Sequence, residues 1–186
     1  MAPEEDENGP VPTEAGSENT VNWEGDIRGS PNITINQIQG LDEESARALI
    51  HNILGEYGIT KENPLHRPEE LSTEAIKRAE ELLEAAKKVE MDAVEHFMLG
   101  QLAMSVGNHS EAESYFGLAE NKFKEIGQDK FRAYAIYHVG VSLSLQGRYE
   151  DSFDRHKQAR KELQKIGDNE MESYVFADMG NLRMEM

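Results

Sequence analysis

Apolar side chains recur at helical spacing along most of the chain, separated by short polar or glycine-containing stretches. The first apolar stripe predicts a helix that Asp42 is suited to cap and that Gly55 and Gly58 close. A second stripe begins at Leu71, and Pro68 suits the first turn of its helix. Five further helices are predicted by the later stripes, at about 91–106, 109–126, 129–146, 149–166 and 169–186.

The region beyond residue 90 repeats itself every 40 residues, and glycine marks the repeat most clearly. Three glycine ladders share this step: Gly100, Gly140 and Gly180; Gly107 and Gly147; Gly127 and Gly167. The last two ladders follow helical stripes and suit the left-handed C-terminal cap that glycine adopts cheaply. The first ladder lies inside helices, where glycine costs about 1 kcal/mol relative to alanine, so we expect a paired helix to approach closely there. Self-similarity at this period predicts a stacked-repeat architecture.

Polar residues beside the turn glycines offer caps for the helices that follow them. Asp129 and Asp168 come just after such glycines, and Ser110 with Glu113 has the spacing of a capping box. These three helix starts are therefore expected to be capped by side chains.

The repeat also carries a family pattern. The first copy has His96, Leu99, Gly100 and Ala103 followed by Ala112 and Phe116, and the second has Ile136, Val139, Gly140 and Leu143 followed by Ser152 and His156. This arrangement resembles the tetratricopeptide repeat (TPR) family, whose first helix carries Leu-Gly and whose second helix carries Ala-x3-Phe. The period is about six residues longer than the usual 34, so the resemblance is to a long-period variety.

The resemblance implies an all-α fold of antiparallel helix-hairpin repeats, stacked as a short right-handed solenoid. The repeats would span residues 91–127 and 128–167, with a partial repeat at 168–186. Residues 41–90 would then form a degenerate helical pair or a cap.

Residues 1–40 have a different composition. The first positive charge is Arg28, and Glu, Asp, Pro, Gly and Asn dominate the first twenty residues. Such a segment buries too little apolar area to offset its ordering entropy, so we predict a disordered acidic tail. Apolar and polar residues alternate on both sides of a Gly/Pro turn near 20–38, which predicts a small β-hairpin.

The negative net charge argues against two classes of binding partner. The 186 residues contain 19 Lys and Arg against 36 Asp and Glu, a formal net charge of −17. A phosphate backbone or an anionic membrane needs a basic face, so neither nucleic acid nor membrane is an expected partner. The chain has no cysteine, which excludes disulfides and thiol chemistry. Without an apolar leader, we expect a cytoplasmic protein.

The TPR resemblance further implies a concave surface made by the first helix of each repeat. The residues expected to line it for a partner are Val94, Phe97, Gln101, Met104, Tyr134, Tyr137, His138, Val141, Tyr174 and Asn181. The alternative is that these aromatic side chains only pack between repeats. Tyrosine suits binding surfaces because it offers area together with a hydrogen-bonding group.

No catalytic residues, metal site or cofactor are expected. The six histidines lack metal-ligand spacing, and neither a phosphate-binding loop nor a nucleophile motif occurs. We therefore expect no enzyme but a protein–protein interaction module, a scaffold or adaptor that binds a peptide or helix in its groove. A first alternative is a ligand- or peptide-sensing segment of a larger signalling protein, and a second is a hydrolase or phosphatase that uses the N-terminal helical layer. The C-terminal helix offers a further partner surface, for a homodimer.

Overall fold

Seven α-helices make up the part of the chain that the structure describes, and none of the described residues forms a β-strand. The computed structural model describes residue 38 and residues 40–186, which fall within one unit, Thr34–Met186. In chain order the helices are α1 (Glu43–Glu56), α2 (Thr73–Ala86), α3 (Ala93–Ser105), α4 (His109–Glu125), α5 (Asp129–Leu145), α6 (Tyr149–Ile166) and α7 (Asn169–Glu185).

The helices pack against their neighbours in the chain. From α3 onward each helix contacts the next, and α1 and α2 contact each other as well as α3. The all-α class and the repeat-like packing of neighbouring helices are therefore confirmed. The disordered tail predicted over residues 1–40 and the hairpin predicted near 20–38 fall mostly on residues 1–37 and 39, outside the described part of the chain. At Ile38, which the structure describes, both predictions were wrong, because this residue is helical and buried.

The predicted glycine stops fall where the helices end. Their φ angles are positive: 78° at Gly107, 70° at Gly127, 76° at Gly147 and 73° at Gly167. An L side chain is strained in this left-handed region, which explains why glycine recurs at each stop. Each of these helices therefore ends within one residue of the predicted position. In α1 the helix continues through Gly55 to Glu56, and the left-handed residue is Gly58.

The helix caps agree with the sequence at two positions. The side chain of Asp42 accepts a hydrogen bond from the backbone of Ser45, and Asp168 caps α7 by accepting one from the backbone of Met171. The helix α3 begins with a capping box that the sequence analysis did not predict. The carboxylates of Asp92 and Glu95 each accept a hydrogen bond from the backbone N–H of the other residue.

Three predicted helix starts were wrong in detail. Asn108 caps α4, two residues before the expected Ser110 box, because its amide oxygen accepts a hydrogen bond from the backbone N–H of Glu111. Asp129 is the first helical residue of α5, not its cap. The helix α2 begins at Thr73, so Pro68 lies in the preceding loop.

The mid-helix glycines of the first two repeats lie directly under rings of the paired helix. A Cβ at Gly100 would lie 2.7 Å from the Phe116 ring, and a Cβ at Gly140 would collide with the His156 ring. Both rings are buried. The expected close approach of the paired helix is therefore present in both hairpins.

A buried carboxylate joins α1 to the first repeat. Glu95 of α3 is 1% exposed and accepts a hydrogen bond from the Arg47 Nη2 at 2.7 Å. Its other oxygen lies 2.6 Å from His51 Nε2. Because both partners come from α1, this cluster fixes how that helix lies against α3.

Candidate partner-binding surface

The predicted groove residues become progressively more exposed from α3 to α7. Phe97, Gln101, Met104 and Tyr134 are buried; Val94, Tyr137, His138 and Val141 are half-buried; Tyr174 and Asn181 are exposed. The accessible surface of the predicted set therefore lies mainly on α7.

On α3, the predicted residues belong to the core. The Phe97 ring packs edge-on against Phe116, with ring centroids 5.1 Å apart, and also contacts Phe123. The side-chain nitrogen of Gln101 lies 3.4 Å from the carbonyl oxygen of Leu65, in the loop between α1 and α2. The chain's own side chains and loop thus occupy this part of the predicted groove, as the packing alternative proposed.

The half-buried ring of His138 packs against three aromatic rings. It stacks on Phe116 with centroids 4.9 Å apart and planes at 20°, and it meets Phe97 and Tyr137 edge-on. Burial, reinforced by the positive charge of Arg67, lowers the pKa of His138 to about 3. The imidazole is therefore neutral at pH 7 and acts as a packing ring, not as a cationic anchor.

Two tyrosines of α5 reach the last helix. The Tyr134 hydroxyl donates a 2.7 Å hydrogen bond to Asp168 Oδ2, at the start of α7. The Tyr137 hydroxyl donates to Asp178 Oδ2 at 2.9 Å. Burial raises the pKa of the Tyr137 hydroxyl, so it stays a hydrogen-bond donor at neutral pH. These two hydrogen bonds fix the position of α7 relative to α5.

The exposed part of the predicted set lies beside these bonds. Tyr174 is 60% exposed and stands seven residues before the exposed Asn181, which places both on one face of α7. Val141 and Asn181 occupy equivalent positions in successive repeats. We call the surface formed by Tyr137, Val141, Tyr174 and Asn181 the α5–α7 face.

A second group of apolar side chains on α7 is exposed. Met184 and Met186 are exposed, whereas Met179 and Leu182 are buried. Phe176 is 59% exposed, with the Arg160 guanidinium 4.7 Å from its ring centroid, whereas His96 and Ile136 are buried. The 40-residue step makes these three positions equivalent, so the sequence identifies Phe176 as a member of the set but not its exposure.

Residue 38 and residues 40–186 contain no cluster of three or more potential metal ligands. Within the same range no helix is long and apolar enough to cross a bilayer. Two surface cavities, of about 520 and 420 Å³, lie elsewhere, one beside Leu41 and Ala85 and the other beside Lys87 and Tyr115.

Comparison of the sequence with protein-family models finds no match. Comparison with curated proteins also finds none.

Proposed function

We propose that the chain is a TPR-like protein-interaction module that binds a peptide or helix of another protein along the α5–α7 face. Helix hairpins that repeat every 40 residues, end in left-handed glycines and pack through a glycine–ring contact support this proposal. Such repeats build extended surfaces from equivalent positions of successive helices. The class of action is therefore recognition of a polypeptide, without a chemical step.

The exposure of Tyr174 carries the proposal. Its counterpart one repeat earlier, Tyr134, is 9% exposed and hydrogen-bonded to Asp168, whereas Tyr174 is 60% exposed. An exposed tyrosine beside an exposed amide, Asn181, offers both apolar area and hydrogen bonds to a partner's backbone. The adjacent half-buried Tyr137 and Val141 extend the apolar area onto α5.

Selection from a random peptide library on the immobilised protein would test this function. Synthetic versions of the selected peptides would then be measured by fluorescence anisotropy against the wild type and Tyr174→Ala. We expect Tyr174→Ala to weaken binding by about tenfold or more, as for a central aromatic contact.

Ile126→Ala is the matched control, because Ile126 is 63% exposed, close to the 60% of Tyr174, but lies at the end of α4. Its peptide affinity should equal that of the wild type. A library that yields no binder, or binders that Tyr174→Ala leaves unchanged, would contradict the proposed surface.

A further inference from the structure

The loop between α1 and α2 crosses the first repeat. Near the start of this loop, Lys61 Nζ lies 3.4 Å from Asp92 Oδ2, at the N-terminal cap of α3. Further along the loop, the carbonyl oxygen of Leu65 lies 3.4 Å from the side-chain nitrogen of Gln101, which belongs to the second half of α3. Residues 61–67, which we call the strap, therefore follow α3 from its N-terminal cap past its middle.

The end of the strap reaches α5. Burial, reinforced by the positive charge of Arg67, lowers the pKa of His138 in α5 and of His109 at the start of α4. The charge of Arg67 is therefore close to both helices. The His138 ring in turn meets the Tyr137 ring edge-on, with centroids 5.1 Å apart. The strap thus ends beside the α5–α7 face, to which Tyr137 belongs.

The strap covers a side chain whose counterpart in the next repeat is more accessible. Gln101 is 2% exposed, whereas Val141, at the equivalent position of the next repeat, is half-buried. The side-chain nitrogen of Gln101 lies 3.4 Å from the Leu65 carbonyl oxygen and 3.4 Å from His138 Nε2. The strap therefore occupies the α3 part of the predicted groove.

The strap itself is bound weakly to the surface that it covers. Six of its seven residues are exposed, and Pro64 is half-buried. The side chain of Lys61 is 46% exposed, so its ion pairs with Asp92 and Glu95 contribute little to stability. A segment with exposed residues and few buried contacts opens at a small cost in free energy.

A strained residue lies between the strap and α2. Glu70 has a φ of 54° and is the only non-glycine residue with a positive φ in the part of the chain that the structure describes. The left-handed region is unfavourable for a residue that carries a side chain. Such strain persists only while the surrounding structure holds it in place, and it is found at switch regions. The strain at Glu70 therefore favours movement of the strap.

A partner can replace the contact that the strap makes with Gln101. Gln101 donates to a backbone carbonyl, which every polypeptide carries, and not to a side chain that is particular to the strap. Binding of an extended segment through its main chain is a common mode of peptide recognition. Because equivalent positions of successive repeats form one surface, a peptide on the α5–α7 face that continues past His138 meets the strap.

We propose that the strap closes the α3 part of the predicted groove and that a bound peptide of another protein displaces it, so that the chain restrains its own binding. This inference rests on the proposed function, because the strap competes only if the groove takes a partner.

Thiol labelling of the full chain tests whether the strap covers Gln101, because the chain contains no cysteine of its own. Gln101→Cys should react with N-ethylmaleimide at least about tenfold more slowly than Leu118→Cys, whose position is 46% exposed in the middle of α4. The triple variant Pro64→Gly, Leu65→Gly, Arg67→Gly loosens the strap. In this background the two thiols should react at similar rates.

Ser142→Cys is the matched control, because Ser142 is 0% exposed and cysteine is close to serine in size. Its thiol should stay unreactive with the strap intact and with the strap loosened, as expected if the core remains folded. Rapid labelling at residue 101 with the strap intact, or slow labelling there with the strap loosened, would overturn the proposal.

Peptide affinity tests whether the strap competes with a partner. Peptides are selected from a random library on the triple variant and kept if they protect the thiol at residue 101 from labelling. They should bind the triple variant about tenfold more tightly than the wild type, because a site that is open in about a tenth of the molecules loses affinity by that fraction.

The outcomes separate the strap from the proposed function. Peptides that bind but never protect the thiol, or that bind both proteins equally, would overturn the strap and leave the proposed function standing. A library that yields no binder for either protein would contradict the proposed function and the strap with it.

A clamp changes the same contact in the opposite direction. Leu65→Cys combined with Gln101→Cys places thiols on both sides of the contact, and a short bis-maleimide should join them. The cross-linked protein should bind the selected peptides at least about tenfold more weakly than the same protein before cross-linking. Unchanged affinity after cross-linking would mean that a partner does not displace the strap.

Discussion

The Ser152 hydroxyl of α6 donates a 2.7 Å hydrogen bond to the carbonyl oxygen of Gly140 in α5. One turn further along α6, the ring of His156 lies over the same glycine. Both contacts require the two backbones to approach closely, and a side chain at residue 140 would occupy that space. Close packing between the two helices therefore requires glycine at residue 140, although glycine has a poor helix propensity.

Alanine at the three mid-helix glycines should therefore have opposite effects on stability. Gly100→Ala and Gly140→Ala should each lower the free energy of unfolding by about 1–3 kcal/mol, because the added methyl displaces a buried ring. Gly180→Ala should raise it by up to about 1 kcal/mol, because the site is open. Urea denaturation followed by circular dichroism measures all three. Stabilisation by Gly140→Ala would show that the hairpin is less tightly packed than described.

Glu95 should make the protein sensitive to strong acid. Burial opposes its ionisation, but hydrogen bonds from the Asp92 backbone, Arg47 and His51 prevail and lower its pKa to about 2 from an ordinary 4.5. With a depressed folded-state pKa, the stabilisation is present above pH 4.5 and is lost as the pH falls towards 2. We expect a loss on the order of 3 kcal/mol over this window from Glu95 alone.

The variant Glu95→Gln isolates that contribution from the other carboxylates. At pH 7 it should be less stable by about 2 kcal/mol, because Arg47 and His51 lose an ionised partner. Between pH 4.5 and 2 it should lose less stability than the wild type, measured by urea denaturation at each pH. Parallel acid curves for the two proteins would refute the assigned role.

His138 should add a second acid-sensitive step at higher pH. Its pKa is lowered from 6.5 to about 3, mainly by burial and then by Arg67 and His156. The unfolded chain therefore takes up a proton on this residue below pH 6.5 while the folded chain does not, so stability declines as the pH falls. His138→Phe keeps a ring on Phe116 and should lose less stability than the wild type between pH 6.5 and 4.5. An identical loss of stability in the two proteins would mean that His138 is more exposed to water than described.

Asp168 should control the attachment of α7. One of its oxygens caps the helix at Met171, and the other accepts the Tyr134 hydroxyl at 2.7 Å. Asp168→Ala removes both bonds and should cost about 2 kcal/mol, whereas Tyr134→Phe removes one and should cost about 1 kcal/mol. Hydrogen exchange should be faster in α7 of both variants and unchanged in α3. Uniform acceleration in all helices would mean that α7 does not unfold separately.

The helix limits beyond residue 90 could be predicted because the signals that determine them are local. A left-handed glycine ends a helix wherever it occurs, so Gly107 and Gly147 were sufficient markers. The cap of α4 was less predictable, because Asn108 and Ser110 are both good cap residues and the choice depends on the geometry of the preceding turn.

The candidate surface was harder to predict from sequence. Helical periodicity identifies which residues share a face, but it does not reveal what lies opposite that face. Gln101 and Asn181 occupy equivalent positions, yet only Gln101 is buried, next to Leu65 and His138. Gln101 is covered by Leu65, in a loop 36 residues away in sequence, and a local sequence pattern carries no information about such a contact.

The short turns that contain the left-handed glycines limit how this chain can change in length. Only two or three residues separate successive helices from α3 to α7. One residue inserted into a helix would rotate everything after it by about 100° and turn a buried stripe towards water. The loop between α1 and α2 is longer, and it should accept an added segment where that segment leaves Leu65 in place over Gln101. Beyond α3, viable length variants of this protein should differ by complete hairpins.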